Sequence, residues 1–323
     1  MAPRFPILRA STLRRSRPLG PGTWRIRTPH REAVTGFRRS YLLHVPPEAR
    51  EGASLPLPTG RGLPLVIALH GAFDTARTLE EVSGLSRLAD TQGAYVAYPN
   101  GIGLFGKLQH WNAGFCCGHA RRTGLDDVGF VAHVIADVLE RVAADPARVF
   151  MVGASNGGMF AYRYATERPG DLRGLAVVSG AIDGEPAKGR PAVRLKPPGA
   201  PLPVCIMHGL SDAVVPHAGG WHRMKPGTRR FAPLESAVEF WTANNGCPGE
   251  PERERFLNGK VLRRTWNGHC GQSRVQCFEI ADWGHSWPSA ERTAHLGQDP
   301  ALGGESEGFD AARIAWRFFS SLI

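Results

Sequence analysis

The stretch Val152-Gly-Ala-Ser-Asn-Gly-Gly-Met-Phe160, VGASNGGMF, follows the apolar run RVFM (residues 148–151) and sets three glycines around one serine. Two accounts compete for it. The glycines could simply let a strand turn tightly into a helix. Alternatively, Gly153-Ala154-Ser155-Asn156-Gly157 is a Gly-x-Ser-x-Gly elbow that lifts a reactive hydroxyl above a sheet edge. Both need a buried strand before the turn and a helix after it, which RVFMV and GMFAYRYATE supply. The motif alone leaves Ser155 ambiguous, so the rest of the chain has to decide.

Working outward, short continuous apolar runs recur: LPLVIALH (63–70), AYVAYP (94–99), GLAVVSG (174–180) and LPVCIMHG (202–209). Runs of this kind fill a parallel sheet covered on both faces. Between them lie helical patterns, most plainly DDVGFVAHVIADVLERVAAD (126–145), with Val131, Val134, Ile135, Val138, Leu139 and Val142 on one stripe. Asp126 and Asp127 stand where helix-capping carboxylates belong, a role that leaves them out of any site. GFRRSYLLHVP (36–46) alternates as a half-buried edge strand, and FDAARIAWRFFSSL (309–322) reads as a closing amphipathic helix. The alternation predicts one doubly wound α/β domain, a mostly parallel sheet with helices on both faces, over residues 34–323. Gly184–Leu202, rich in Pro and Gly, reads as a surface excursion because the sheet resumes after it.

The net charge of +10 would suggest a nucleic-acid partner were it spread over the fold. Residues 1–40 instead hold ten arginines against Glu32 alone, leaving 29 basic and 28 acidic residues elsewhere. A nearly neutral body argues against a general polyanion surface. Residues 1–33 read as a basic, disordered extension without the apolar core of a secretory signal. No run reaches the ~18 apolar residues of a membrane span. Neither nucleic acid nor membrane is therefore an expected partner.

Six cysteines are too few for a disulfide scaffold. Cys205 reads as a buried inert thiol. Adjacent Cys116 and Cys117 would bridge each other only with strain. Cys247, Cys270 and Cys277 flank the C-terminal third, and a Cys247–Cys270 bridge, which would imply an oxidising compartment, is expected. The spacing of CCGH (116–119) suits no tetrahedral metal site, and no metal is expected.

A serine hydroxyl becomes a nucleophile only when a histidine removes its proton and a carboxylate orients that histidine. Both are present in the order acid, then histidine. Asp212 follows a buried strand in IMHGLSDAVVP, and His285 follows the β-like run SRVQCFEI in EIADWGHSWP. Asp282 is a weaker acid, too close to His285 in sequence to reach the far side of its ring. An oxyanion needs two donors. The N–H of Asn156 follows the nucleophile, and HGAFD, after the strand that ends at His70, offers Ala72 or Phe73. Trp111 and Trp287, with Phe73, are candidates to line a substrate cleft, although tryptophan is as readily core. Gly101-x-Gly103-x-x-Gly106 matches a dinucleotide fingerprint, but the following KLQHWNAGFCCGH has no helical periodicity, so no cofactor is expected.

The ordered set RSYLLHVP, LPLVIALHGA, YPNGI, WNAGFCCG, LDDVGF, DPARVFMVGASNGGMFAYRYATE, HGLSDAVVP, NGC and GHSWP resembles the polyhydroxybutyrate depolymerase-like esterases, a group that includes feruloyl and acetylxylan esterases. The resemblance implies an α/β-hydrolase that works without a cofactor through Ser155, Asp212 and His285. It further implies an oxyanion hole at Ala72 and Asn156 and an extracellular or periplasmic setting, with a cytoplasmic one as the alternative. Ala72 stands where many relatives carry cysteine, which leaves the pairing of Cys116, Cys117 and Cys277 open. Relatives that attack solid polyester usually carry a secretion signal and a further substrate-binding domain. Neither is visible here, so hydroxyalkanoate oligomers or small soluble esters are the expected substrates. A feruloyl or acetylxylan esterase is the alternative, and an inactive hydrolase-fold binding protein a weaker one.

Overall fold

The apolar runs become the parallel centre of a ten-stranded sheet. The structure, a computed structural model, describes residues 19–31, 38–49, 60, 62–103, 108–222, 227–268, 274–289 and 308–323. Side by side and parallel lie β4 (Tyr95–Pro99), β3 (Leu63–Leu69), β5 (Ala144–Ala154), β6 (Gly174–Val178), β8 (Val204–Gly209) and β13 (Arg274–Ile280). Antiparallel strands widen both edges, β2 (Arg38–Val45) and β1 (Gly22–Arg31) beyond β4, and β12 (Val261–Asn267) and β11 (Glu252–Phe256) beyond β13.

Successive side chains of a strand point to opposite faces, and both faces here are apolar. Leu65, Ile67, Leu69, Val149 and Met151 pack on one side with α4 (Asp127–Arg141), α5 (Asn156–Glu167) and α6 (Leu234–Asn245). Val66, Ala68, Phe150 and Val152 pack on the other with α1 (Ala76–Ser83), α2 (Leu85–Gln92) and α7 (Ala311–Ser320). Each fully buried Val, Leu, Ile or Phe contributes ~1.5–3 kcal/mol, which favours this two-sided burial over any one-sided sheet.

Register then gathers the strand ends. Leu69 pairs with Gly153, Ala154 with Val178, Val178 with Met207, and Gly209 with Ile280. The loops that follow β3, β5, β8 and β13 therefore emerge along one edge, where a doubly wound sheet binds its ligands. A second, three-stranded sheet, in the order β7 (Gly184–Glu185), β10 (Arg230–Phe231), β9 (Gly220–Trp221), joins the start of the predicted surface excursion to the segment between β8 and α6. It leans on the loop before α3 (Gly118–Arg122), with the Phe115 and Phe231 rings 6.3 Å apart, edge to face.

Two expectations change. The segment expected to be a disordered extension up to residue 33 contributes β1, paired with β2 from Gly22↔Val45 to Arg31↔Arg38. Its period-2 pattern is real: Ile26 packs on the core and Thr28 is buried, while Arg25 and Arg27 point to water. Asp126 caps α4 as expected, accepting from the Gly129 N–H at 2.8 Å. Asp127 does not serve as a cap. It is fully buried and ion-paired at 2.8 Å with the equally buried Arg39, whose guanidinium lies 3.9 Å from the centre of the Phe130 ring.

Candidate active site

Ser155 sits between β5 and α5 with φ 51° and ψ −119°, a left-handed conformation that costs a side-chain-bearing residue ~1–3 kcal/mol. Two bonds hold it there: its N–H donates to the Val178 carbonyl at 2.8 Å, and its carbonyl accepts from the Met159 N–H at 2.9 Å. The flanking glycines solve a different problem. Neither Gly153 nor Gly157 has a positive φ. A Cβ on Gly157 would strike the Leu69 and His70 carbonyls, and one on Gly153 would strike the Gly157 carbonyl. The serine carries the strain, and the glycines allow the backbones to close around it.

Three loops meet at the hydroxyl. His285 Nε2 lies 2.8 Å from Ser155 Oγ, and His285 Nδ1 lies 2.7 Å from Asp212 Oδ2. With Nδ1–H donating to the carboxylate, Nε2 is left to accept the serine proton. The second oxygen of Asp212 accepts from the N–H groups of Val214 and Val215, both at 2.8 Å. Burial acts to raise the Asp212 pKa, but the attraction and hydrogen bond of His285, the neighbouring His208 and the Val215 N–H together outweigh it and hold the carboxyl below its usual range. His208, buried and with its pKa lowered by desolvation, donates from Nε2 to the Val215 carbonyl at 2.8 Å and stands 3.5 Å from Asp212 Oδ2. The acid and base loops are also stitched together, since the Ser211 N–H donates to the Trp283 carbonyl at 3.0 Å.

The opposite wall is built from neutral groups. His70 is fully buried, and desolvation lowers its pKa to about 4. Its Nε2 accepts from the Gly101 N–H at 2.9 Å, so Nδ1 carries the proton and donates to the Gly71 carbonyl at 2.7 Å. Trp111 Nε1 donates to the His70 carbonyl at 3.0 Å. The Asn156 side chain makes a reciprocal pair with Trp111, accepting its N–H at 2.7 Å and donating to its carbonyl at 3.0 Å. Asp127 anchors the next residue, accepting the Asn112 N–H at 2.7 Å. The Phe73 N–H is committed to the Gln109 carbonyl at 2.8 Å, whereas those of Ala72 and Asn156 have no backbone partner among the described residues.

The cleft residues divide. Phe73 is 58% exposed, with Leu108 and Leu210 also exposed on loops of the same edge. Trp111 is wholly buried and stacked on Phe160 at 5.2 Å, and Trp287 is buried with Trp283 under the sheet. The expectation that both tryptophans line the cleft is corrected: each is core, and Trp111 acts from behind the site through its indole and backbone. Leu108, Leu210, His208 and the Arg39–Asp127 pair were missed. HG and LDDVGF were visible as motifs, but their partners lie far off in sequence. Cys116 and Cys117, whose pairing the sequence left open, are joined to each other, whereas Cys205 and Cys277 are buried thiols, the latter pushed up to about 12 by burial. Cys270, one end of the expected bridge from Cys247, lies outside the described residues. So does part of the dinucleotide-like stretch, whose flanks Ile102 and His110 pair with one another. No helix among the described residues is long and apolar enough to cross a membrane.

A parallel sheet with an elbow serine on a central strand, and acid and histidine on later loops of the same edge, is the α/β-hydrolase fold. The solved acetyl xylan esterase from Aspergillus awamori superposes with a TM-score of 0.56 over 82% of this chain and 94% of its own, at 15% identity. No protein-family model matches. The protein named "Putative esterase NocK" of Nocardia uniformis subsp. tsuyamanensis is 32% identical over 79% of this chain and 72% of its own. Feruloyl esterase B of Piromyces equi is 30% identical over 64% of this chain, which spans only 37% of that protein's length. The chain belongs to this esterase family, whose members include feruloyl esterases, an acetylxylan esterase and a poly(3-hydroxyalkanoate) depolymerase, and it is an ester hydrolase.

Proposed function

We propose that the esterase works through an acyl-enzyme on Ser155, with His285 as base and then acid and Asp212 as its orienting carboxylate. The observation that carries this is the unbroken chain Ser155 Oγ–His285 Nε2–His285 Nδ1–Asp212 Oδ2, at 2.8 and 2.7 Å, drawn from segments 130 and 73 residues apart. His285 takes the hydroxyl proton as Oγ attacks the ester carbonyl. The oxyanion settles against the N–H groups of Ala72 and Asn156. As the C–O bond breaks, His285 passes the proton to the leaving alcohol, and water then repeats the sequence and releases the acid. Each oxyanion donor is worth ~2.7–4 kcal/mol in such a transition state.

The substrates in this reading are hydroxyalkanoate oligomers or small soluble esters. Relatives named for polyhydroxyalkanoate, feruloyl and acetylxylan ester cleavage support it, as do the apolar side chains of Phe73, Leu108 and Leu210 around the site. One catalytic domain, formed by the ten-stranded sheet and its helices, would carry the whole reaction. The test is Ser155→Ala: turnover of 4-nitrophenyl butyrate should fall by about 10⁶-fold if the three residues act as a unit, and fluorophosphonate labelling should vanish. Retained turnover or labelling at another residue would overturn it.

A further inference from the structure

Next to Phe73, on the loop proposed to hold the oxyanion, a basic group begins at His110. The Phe73 ring stands 4.6 Å from the His110 ring, edge to face. The charges of Arg229 and Arg122 both bear on His110, and that of Arg121 bears on Arg229. Arg229 immediately precedes β10, and α3, the helix that carries Arg121 and Arg122, begins at Gly118 against the His110 ring. Its Nε is sealed from solvent with no hydrogen-bond acceptor among the described residues, and its guanidinium lies 6.0 Å from the Phe231 ring centre.

Among the described residues no carboxylate pairs with this arginine. Arg39, Arg141, Arg148, Arg163, Arg168 and Arg264 each face an Asp or Glu at 2.7–2.9 Å. Arg229 and Arg121 have none among the described residues, and nearby acids are engaged: Glu185 takes Arg230 at 3.1 Å, and Asp183 accepts the Leu195 N–H at 2.9 Å. A half-buried guanidinium held against a second cation is unfavourable unless an anion reaches it. Guanidinium is also the group that matches a carboxylate with two parallel N–H bonds.

We infer that Arg229, seconded by Arg121, is an anion subsite of the esterase, which selects esters whose acyl or alcohol part ends in a free carboxylate. This rests on Ser155 being the nucleophile and deepens that reading. The terminal carboxylate of a short hydroxyacid oligomer has this chemistry, and neutral aryl or acetyl esters lack it.

The experiment compares matched pairs. Mono-4-nitrophenyl glutarate is set against 4-nitrophenyl pentanoate for an acyl-side carboxylate, and the 3-hydroxybutyrate dimer against its neutral carboxamide for an alcohol-side one. In at least one pair, wild-type kcat/KM should favour the anion by about tenfold or more, with KM for the anion alone rising as salt screens the contact. Arg229→Gln should remove that preference while neutral-ester turnover stays within about twofold, and Arg229→Lys should restore part of it. An anion-to-neutral ratio equal in wild type and Arg229→Gln overturns the subsite. If Arg229→Gln fails to fold, the wild-type protein decides: a salt-sensitive preference for the anion supports the subsite, and its absence sinks it. Wild type that hydrolyses the neutral esters without preference loses the subsite alone. A fully folded wild type that cleaves none of the four loses the Ser155 reading and the subsite together.

Discussion

The two walls of the site are held by different physics. On the serine side, His70, Trp111 and Asn156 are all buried and joined by neutral hydrogen bonds, with the Arg39–Asp127 pair sealed behind them. On the histidine side, Asp212 and His285 are held by charge, two backbone N–H groups and a loop stitch, with the His285 side chain 12% exposed. The first wall is fixed by packing before substrate arrives, and the second is the one that moves a proton in the proposed mechanism. Preorganisation and the proposed acid–base work thus fall to separate loops.

Perturbing the charged wall should give the largest effect on rate. Asp212→Asn keeps the shape but removes the carboxylate that fixes the His285 tautomer, so kcat should fall by about 10⁴-fold; equal kcat would break the distinction. Its effect on stability should be small beside that on rate, which thermal unfolding checks.

Perturbing the packed wall should do the reverse. Asp127→Asn leaves the Arg39 charge buried without its counter-ion, and about 3–5 kcal/mol of stability should be lost in urea unfolding. A midpoint unchanged from wild type would show that the pair is not part of the frame.

Acid sharpens the same contrast. His70 titrates near 4 when folded and near 6.5 when unfolded, so between these values the unfolded chain binds the extra proton. Stability should therefore fall as pH drops from about 6.5 to 4, by up to ~3 kcal/mol from this residue, and His208 acts in the same direction. Asp212 acts in the same direction but in a lower window: its depressed pKa adds stability that is present above its unfolded value and lost as pH falls through its lower folded one. A His70→Asn variant with an undiminished slope in the upper window would remove His70 from this account.

The smallest effect is expected at Asn156→Ala. The backbone N–H remains, but the two bonds to Trp111 are lost, and ~1–3 kcal/mol should disappear from stability with about a tenfold fall in kcat and little change in KM.

The sheet and the three residues at its edge were legible because they follow from local pattern. Short apolar runs define the parallel strands, and register carries Ser155, Asp212 and His285 to the same edge whatever the loops between them do. What escaped depends on distant partners. Asp127 reads as a cap until Arg39, 88 positions earlier, is seen beside it. Trp111 reads as a cleft residue until Phe160 is found stacked on it. The alternation of β1 was hidden by its arginines, which suggested a solvated tail although they occupy the outer face of a strand.

The parallel pairing of β8 with β13 spans residues 204 to 280. Closing such a loop is slow, since its entropy is lost before any contact compensates. His285 is carried on the loop just past β13, so the proposed proton relay can form only after that strand has docked. During refolding, recovery of ester turnover should therefore trail the return of helical signal, and the enzyme reports on the completion of its own fold.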